Sequence, residues 1–146
     1  MKRMYSILCA LTTAAVFVSC SLEDDQTNFT YTTLETVNAN VPDTFELGRV
    51  YNIDVNLLRP DECTFTETFD VRRSFTDSTN VRTVSAIGIV IEDENGECAE
   101  VNEEIQDTFR FEVLYTKPYI FRFYTGNDEN GEPEFLEIEV PVKHNQ

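Results

Sequence analysis

Val50-Tyr51-Asn52-Ile53-Asp54-Val55-Asn56-Leu57-Leu58 is the stretch from which the fold can be read. Tyr51, Ile53, Val55 and Leu57 fall on one side, and Asn52, Asp54 and Asn56 on the other. A period of two with one polar side is the signature of a strand whose other face is covered. The neighbouring segments repeat the pattern in both directions.

Downstream, Arg59-Pro60-Asp61-Glu62 turns the chain. Cys63 then opens a strand in which Phe65, Phe69 and Val71 are expected to share a side. Ser74 to Asn80 is a polar turn. Val81 to Ile91 becomes apolar on both faces, with Val84, Ala86 and Val90 set against Ile87, Ile89 and Ile91, so it reads as a central strand. Asp93-Glu94-Asn95-Gly96 ends it with a tight-turn dipeptide. Cys98 to Asp107 is acidic, and Val101 to Gln106 has the length for one helical turn. Alternation resumes through Phe109, Phe111, Val113 and Tyr115, and Lys117-Pro118 turns again. Tyr119, Ile120, Phe121, Phe123 and Tyr124 make an aromatic strand. After Asp128-Glu129-Asn130-Gly131, the chain closes with Leu136, Ile138, Val140 and Val142 on one face. Pro141 brings no N–H, which assigns this last strand to an edge. Upstream, Phe29 to Val37 is a first strand in which Phe29, Tyr31 and Thr33 alternate with Thr30 and Thr32. Val41-Pro42-Asp43 breaks it, and Thr44 to Leu47 is a short edge piece ended by Gly48.

About seven strands, with turns between them and no amphipathic helix of useful length, predict an all-β protein built as an antiparallel β-sandwich. Over Val41 to Val142 the pattern resembles an immunoglobulin-like domain, with Tyr119 to Tyr124 and Phe135 to Val142 as its last hairpin. It departs from that family in having no Trp. Cys63 and Cys98 are also too close in sequence for the family's bridge between sheets. Any bridge between them should therefore pin an edge or a loop.

Composition limits the partners. Of 146 residues 41% are hydrophobic, with 11 Phe and 6 Tyr, enough for a packed core in one domain. The net charge is −16. Such a chain repels phosphate backbones and anionic lipid headgroups, which argues against nucleic acid as a partner.

The N-terminus reads as an export signal. Met1-Lys2-Arg3-Met4 is basic, and Tyr5 to Val18 is uncharged and mostly apolar. That run is short of the roughly 20 apolar residues a membrane crossing needs, and suits the apolar region of a signal peptide. Phe17-Val18-Ser19-Cys20 resembles the lipobox of bacterial lipoproteins, with Phe17 where Leu is usual. The resemblance implies cleavage before Cys20 and acyl chains on Cys20, hence a palmitate-type anchor with no other membrane contact. It divides the chain into a signal peptide (residues 1–19), an acidic linker (20–28) and a β-sandwich domain (29–146). Ser21 and the acidic Glu23-Asp24-Asp25 resemble the sorting signals of lipoproteins exposed on the outer membrane of the cell. Loss of Lys2 and Arg3 would take the net charge from −16 to −18. With Cys9 removed and Cys20 acylated, Cys63 and Cys98 remain as a candidate disulfide in an oxidising compartment. A metal site there lacks partners, because the one His is His144.

Candidate binding residues follow from local chemistry. Arg72, Arg73 and Arg82 flank one turn and suit a carboxylate, such as that of an acidic sugar; the competing reading pairs them with nearby acids. Tyr115 and Tyr124 are the tyrosines most nearly at a rim, where a ring stacks on a sugar. The pentapeptide Asp-Glu-Asn-Gly-Glu occurs at 93–97 and 128–132. It offers Asp93, Asn95, Asp128 and Asn130 as oxygen ligands for calcium, although neither copy has the calcium-loop spacing. The region from Asp93 to Glu112 is an acidic lobe suited to a cation or a basic partner, or simply to solubility. A single His near the chain end gives no triad base, and five Gly make no phosphate loop. The expectation is therefore no catalytic residue, no cofactor and no resident metal. The chain reads as a surface lipoprotein that binds or scaffolds, first a partner protein and alternatively a glycan within a nutrient-uptake system, with a hydrolase as the remote third.

Overall fold

The computed structural model describes residues 29–74, 80–91 and 96–143. The expected signal peptide (residues 1–19), Cys20 and the expected linker (20–28) lie outside the described residues, as do Asp93, Asn95 and His144. The alternating segments form β1 (Phe29–Asn40), β2 (Phe45–Glu46), β3 (Val50–Asp61), β4 (Thr64–Arg73), β5 (Val81–Ile91), β6 (Glu100–Glu112), β7 (Tyr119–Asn127), β8 (Pro133–Val140) and β9 (Val142–Lys143). The protein is all-β, with a curled, sandwich-like sheet in the order β6-β3-β1-β5-β7-β8, and β4 on the other side of β5.

The period of two decides what each strand buries. Ile53, Val55 and Leu57 of β3 are wholly buried. Tyr119, Phe121 and Phe123 of β7 meet them from the opposite layer, together with Val84 and Ala86 of β5. Each such aliphatic side chain contributes about 1.5–3 kcal/mol on burial. Phe111 of β6 joins the layers, with its ring 4.9 Å from that of Phe121 and 5.7 Å from that of Phe45. The buried tyrosine is satisfied: the Tyr119 hydroxyl accepts the N–H groups of Leu114 and Tyr115, both at 2.9 Å.

β1 bends the sheet. Its first half pairs with β5, from Phe29↔Ile91 to Leu34↔Ala86. Its second half pairs with β3, from Glu35↔Leu58 to Asn40↔Asp54, past a bulge between Thr36 and Asn38. One strand thereby serves both layers, with the added twist that a bulge brings. β5 is central, as its two apolar faces predict, with β4 on one edge and β1 and β7 in turn on the other. Gly88 stands where β1 and β4 approach it most closely. A Cβ there would lie 3.0 Å from Thr32 Cγ2 and 3.3 Å from the Phe65 carbonyl oxygen.

Three local expectations are corrected. The pairings are not all antiparallel, since β5–β7 and β2–β9 run parallel. β5 and β7 are separated in sequence by the whole of β6, and a connection of that length permits a parallel neighbour. Val101 to Gln106 is not a helical turn. It belongs to β6, where β3 holds it in register through Arg59↔Glu103 and Leu57↔Ile105. Phe65 does not share a side with Phe69 and Val71. A register shift between Thr66 and Thr68 inserts one residue and reverses the side-chain alternation. Phe65 is 46% exposed, while Phe69 and Val71 pack on the core.

The closing hairpin forms, but its second strand ends at Val140: the chain leaves it at Pro141, and Val142 belongs to β9, which pairs with β2. β7 and β8 pair from Tyr119↔Val140 to Asn127↔Pro133, and β8 ends the sheet as an edge. Gly131 takes φ +84° in the connecting turn, a conformation open to glycine at little cost.

Candidate functional site

The structure gathers some of the candidate residues and scatters the others. Arg73 and Arg82 are cross-strand partners on β4 and β5. The Arg82 side chain lies inside a ring box, its Cζ 5.1 Å from the Tyr119 ring centre, 5.6 Å from that of Tyr115 and 6.0 Å from that of Phe111. Its Nη1 donates to the Val81 carbonyl at 2.9 Å. Burial lowers the Arg82 pKa, Tyr119 and Tyr115 act against that shift, and Arg73 adds to it. Arg73 Nη1 donates to the Tyr115 hydroxyl at 3.0 Å. Arg73, Arg82 and Tyr115 thus form one cation–ring cluster. Arg72 is elsewhere, paired through Nε with Asp70 at 2.6 Å. Tyr124 is also apart, its hydroxyl on Asn127 and its ring edge-on to Phe135.

Cys63 and Cys98 form a disulfide with Cα atoms 5.6 Å apart. It ties the β3–β4 corner to the segment entering β6, so it pins a loop, as expected. Asp61 and the two sulfurs lie close enough together for a metal, but each sulfur is bonded to the other and neither is a thiolate. The Asp61 carboxylate is used locally, accepting Cys63 N–H at 3.0 Å and the Thr64 hydroxyl at 2.7 Å.

Asp128 and Asn130 build a turn. Asp128 Oδ1 accepts the N–H groups of Asn130 and Glu132 at 2.8 and 2.9 Å, and the Asn130 amide donates to Oδ2 at 3.3 Å. The bond from Glu132 N–H, followed by that from Asn130, holds the carboxyl below the usual carboxylate range. Side-chain bonding to the backbone two residues on is what Asp does in turns. Both carboxylate oxygens of Asp128 thus serve the turn.

The feature that the alternation did not announce is on the outer face of β4, β5 and β1. Phe29 opposes Ile91, Tyr31 opposes Ile89, and Ile89 opposes Phe65 on its other side. Phe29, Tyr31, Phe65 and Ile91 are 50%, 65%, 46% and 40% exposed. Register makes them neighbours, and no charged side chain interrupts them. One signal was present in the sequence. Phe29 and Tyr31 have odd numbers whereas Leu34 and Thr36, which are buried, have even ones. Strict alternation cannot put both sets inside.

Beside this face is a groove of about 270 Å³, between Thr32–Glu35 of β1 on one wall and Leu58, Pro60 and Asn102 on the other. It opens where β3 leaves β1 after the Glu35↔Leu58 pair. Pro60 has no N–H for β6, and β6 bulges opposite it, with Asn102 at φ +48°. No family model matches this chain, and no curated protein or solved structure matches it either.

Proposed function

We propose that this chain is a lipoprotein anchored through Cys20 at the outer membrane and exposed at the cell surface, whose β-domain binds a partner protein. The observation that carries the binding reading is the apolar face formed by Phe29, Tyr31, Phe65 and Ile91. A contiguous exposed apolar patch on a soluble domain is a marker of association. Aromatic residues are the type that concentrates at the centres of interfaces. The domain acts by contact and not by catalysis. Tyr31 is the one exposed tyrosine among the described residues, and a sugar platform needs more than one such ring, so the glycan alternative has less behind it.

Two measurements test the reading. Cys20→Ala should move the protein from the membrane fraction to the soluble one; a variant that still sediments with membranes removes the anchor. A photo-reactive residue at Tyr31, used on intact cells, should cross-link one partner that the same group at Glu134 does not reach. The double variant Phe29→Ser with Phe65→Ser should abolish that cross-link. Equal labelling from both positions would remove the patch as the binding face.

A further inference from the structure

The sheet has several free edges, and they are not protected alike. β6 carries Glu100, Glu103, Glu104, Asp107 and Glu112, and β8 carries Pro133, Glu134, Glu137 and Glu139. Charge and proline are the usual guards against another strand. β4 has a bulge and four charged residues, Glu67, Asp70, Arg72 and Arg73. The first half of β1, Phe29-Thr30-Tyr31-Thr32-Thr33-Leu34, has neither charge nor proline. β5 covers one of its edges, and no described strand pairs with the other. That bare edge runs into the groove beside Leu58 and Pro60.

We propose that the groove is a strand-addition site, in which an extended, basic segment of a partner protein pairs with the open edge of β1 at Phe29–Leu34. This rests on the reading of the domain as a protein-binding module and says how it binds. In this mode main-chain hydrogen bonds supply affinity, and pockets for alternate side chains supply choice. Six residues at about 3.4 Å each give an edge of roughly 20 Å. An apolar side chain of the incoming strand enters the groove against Leu58 and Pro60. A Lys or Arg reaches Glu35, which is exposed on the groove wall.

Charge selects the occupant. The chain carries −16, and Asp61, Glu62 and Glu100 cluster by sequence and strand register at the end of β3, beyond the Arg59–Glu103 ion pair. A basic segment is attracted and an acidic one repelled. A second copy of this chain brings the same negative charge. It would also have to fit the flank of a folded domain into an edge recessed beside the end of β3, whereas a lone strand enters freely.

The probe is a ten-residue synthetic peptide of alternating valine and lysine, titrated into the whole chain carrying Cys20→Ala. The readouts are fluorescence anisotropy and amide hydrogen exchange. The lysine peptide should bind and slow exchange at Tyr31 and Thr33, whose N–H groups alternate with those that bond β5 and so face the open edge. Its glutamate counterpart should bind at least tenfold more weakly, and methylation of alternate backbone nitrogens should abolish binding. Glu35→Gln should weaken binding about threefold, the scale of one exposed ion pair. Absence of binding, indifference to backbone methylation, or protection elsewhere would overturn the proposal. Protection at Tyr31 and Thr33 before peptide is added would overturn it as well. If deleting residues 21–26 removes that protection, the chain's own linker is the occupant; if dilution removes it, a second copy is. Should the Tyr31 cross-link succeed while the peptide fails, the binding reading stands and only the strand-addition mode is lost.

Discussion

The two ends of β5 each carry three aromatic rings, put to opposite uses. At the Val81 end, Phe111, Tyr115 and Tyr119 close around the Arg82 guanidinium, and hydroxyl and backbone groups satisfy one another. At the Ile91 end, Phe29, Tyr31 and Phe65 are spread over the outer face of the sheet. The first group is enclosed because β6 and β7 belong to different layers and meet there. The second is open because β1 and β4 are both in the layer of β5, with nothing described above them. Aromatic content alone therefore does not distinguish a core from a binding face; the layer in which each ring's strand lies does.

That contrast can be broken by substitution. Phe121→Ala at the closed end should cost about 3–5 kcal/mol, as for other large-to-small core changes, read as a drop in the urea midpoint. A loss below about 1 kcal/mol would mean the rings there are not close-packed. Opening the Cys63–Cys98 bridge releases a loop spanning 35 residues. It should cost about 4 kcal/mol in the chain-entropy description, seen as a melting temperature many degrees lower after reduction; an unchanged midpoint would mean free thiols. Arg82→Met should cost about 2 kcal/mol, the worth of a desolvated cation over rings, and leave the fold recognisable by circular dichroism. Tyr31→Ser with Phe65→Ser at the open end should change stability by less than about 1 kcal/mol, as exposed positions do. A large loss would show that these rings support the fold.

The smallest effect concerns Asp128. Its carboxyl pKa is lowered in the folded protein by the Glu132 and Asn130 N–H groups. A depressed folded pKa stabilises above the unfolded value, and that stabilisation is lost as pH falls through the folded one. Asp128→Ala should therefore flatten the acid side of the stability–pH curve while leaving the alkaline side parallel. An unaltered acid limb would mean that the turn does not hold the carboxylate in solution.

Much of the strand layout was legible because alternation is local. Tyr51 to Leu57 announces its own inner and outer sides, and Asn130-Gly131 announces its own turn. The Arg72, Arg73 and Arg82 cluster was legible only as a neighbourhood. Which two of the three face the same rings depends on the Arg73↔Arg82 pairing, and Arg72 faces the other way because it is one residue earlier. Phe65 was misread for the same kind of reason. A bulge two residues later reverses the alternation, and no residue type in Thr66-Glu67-Thr68 declares it.

By itself, the sequence determined that the domain is made of strands, where most of them turn, that Cys63 and Cys98 are the two cysteines within those strands and turns, and how negative the chain is. These follow from side-chain period, turn chemistry and composition, each of which acts over a few residues. Only the tertiary structure decided that β5 and β7 lie parallel, that β1 serves both layers, and that Phe29, Tyr31, Phe65 and Ile91 share an open face beside an unpaired edge. Those outcomes depend on register between strands distant along the chain, and register is set by the packing that every strand must satisfy at once.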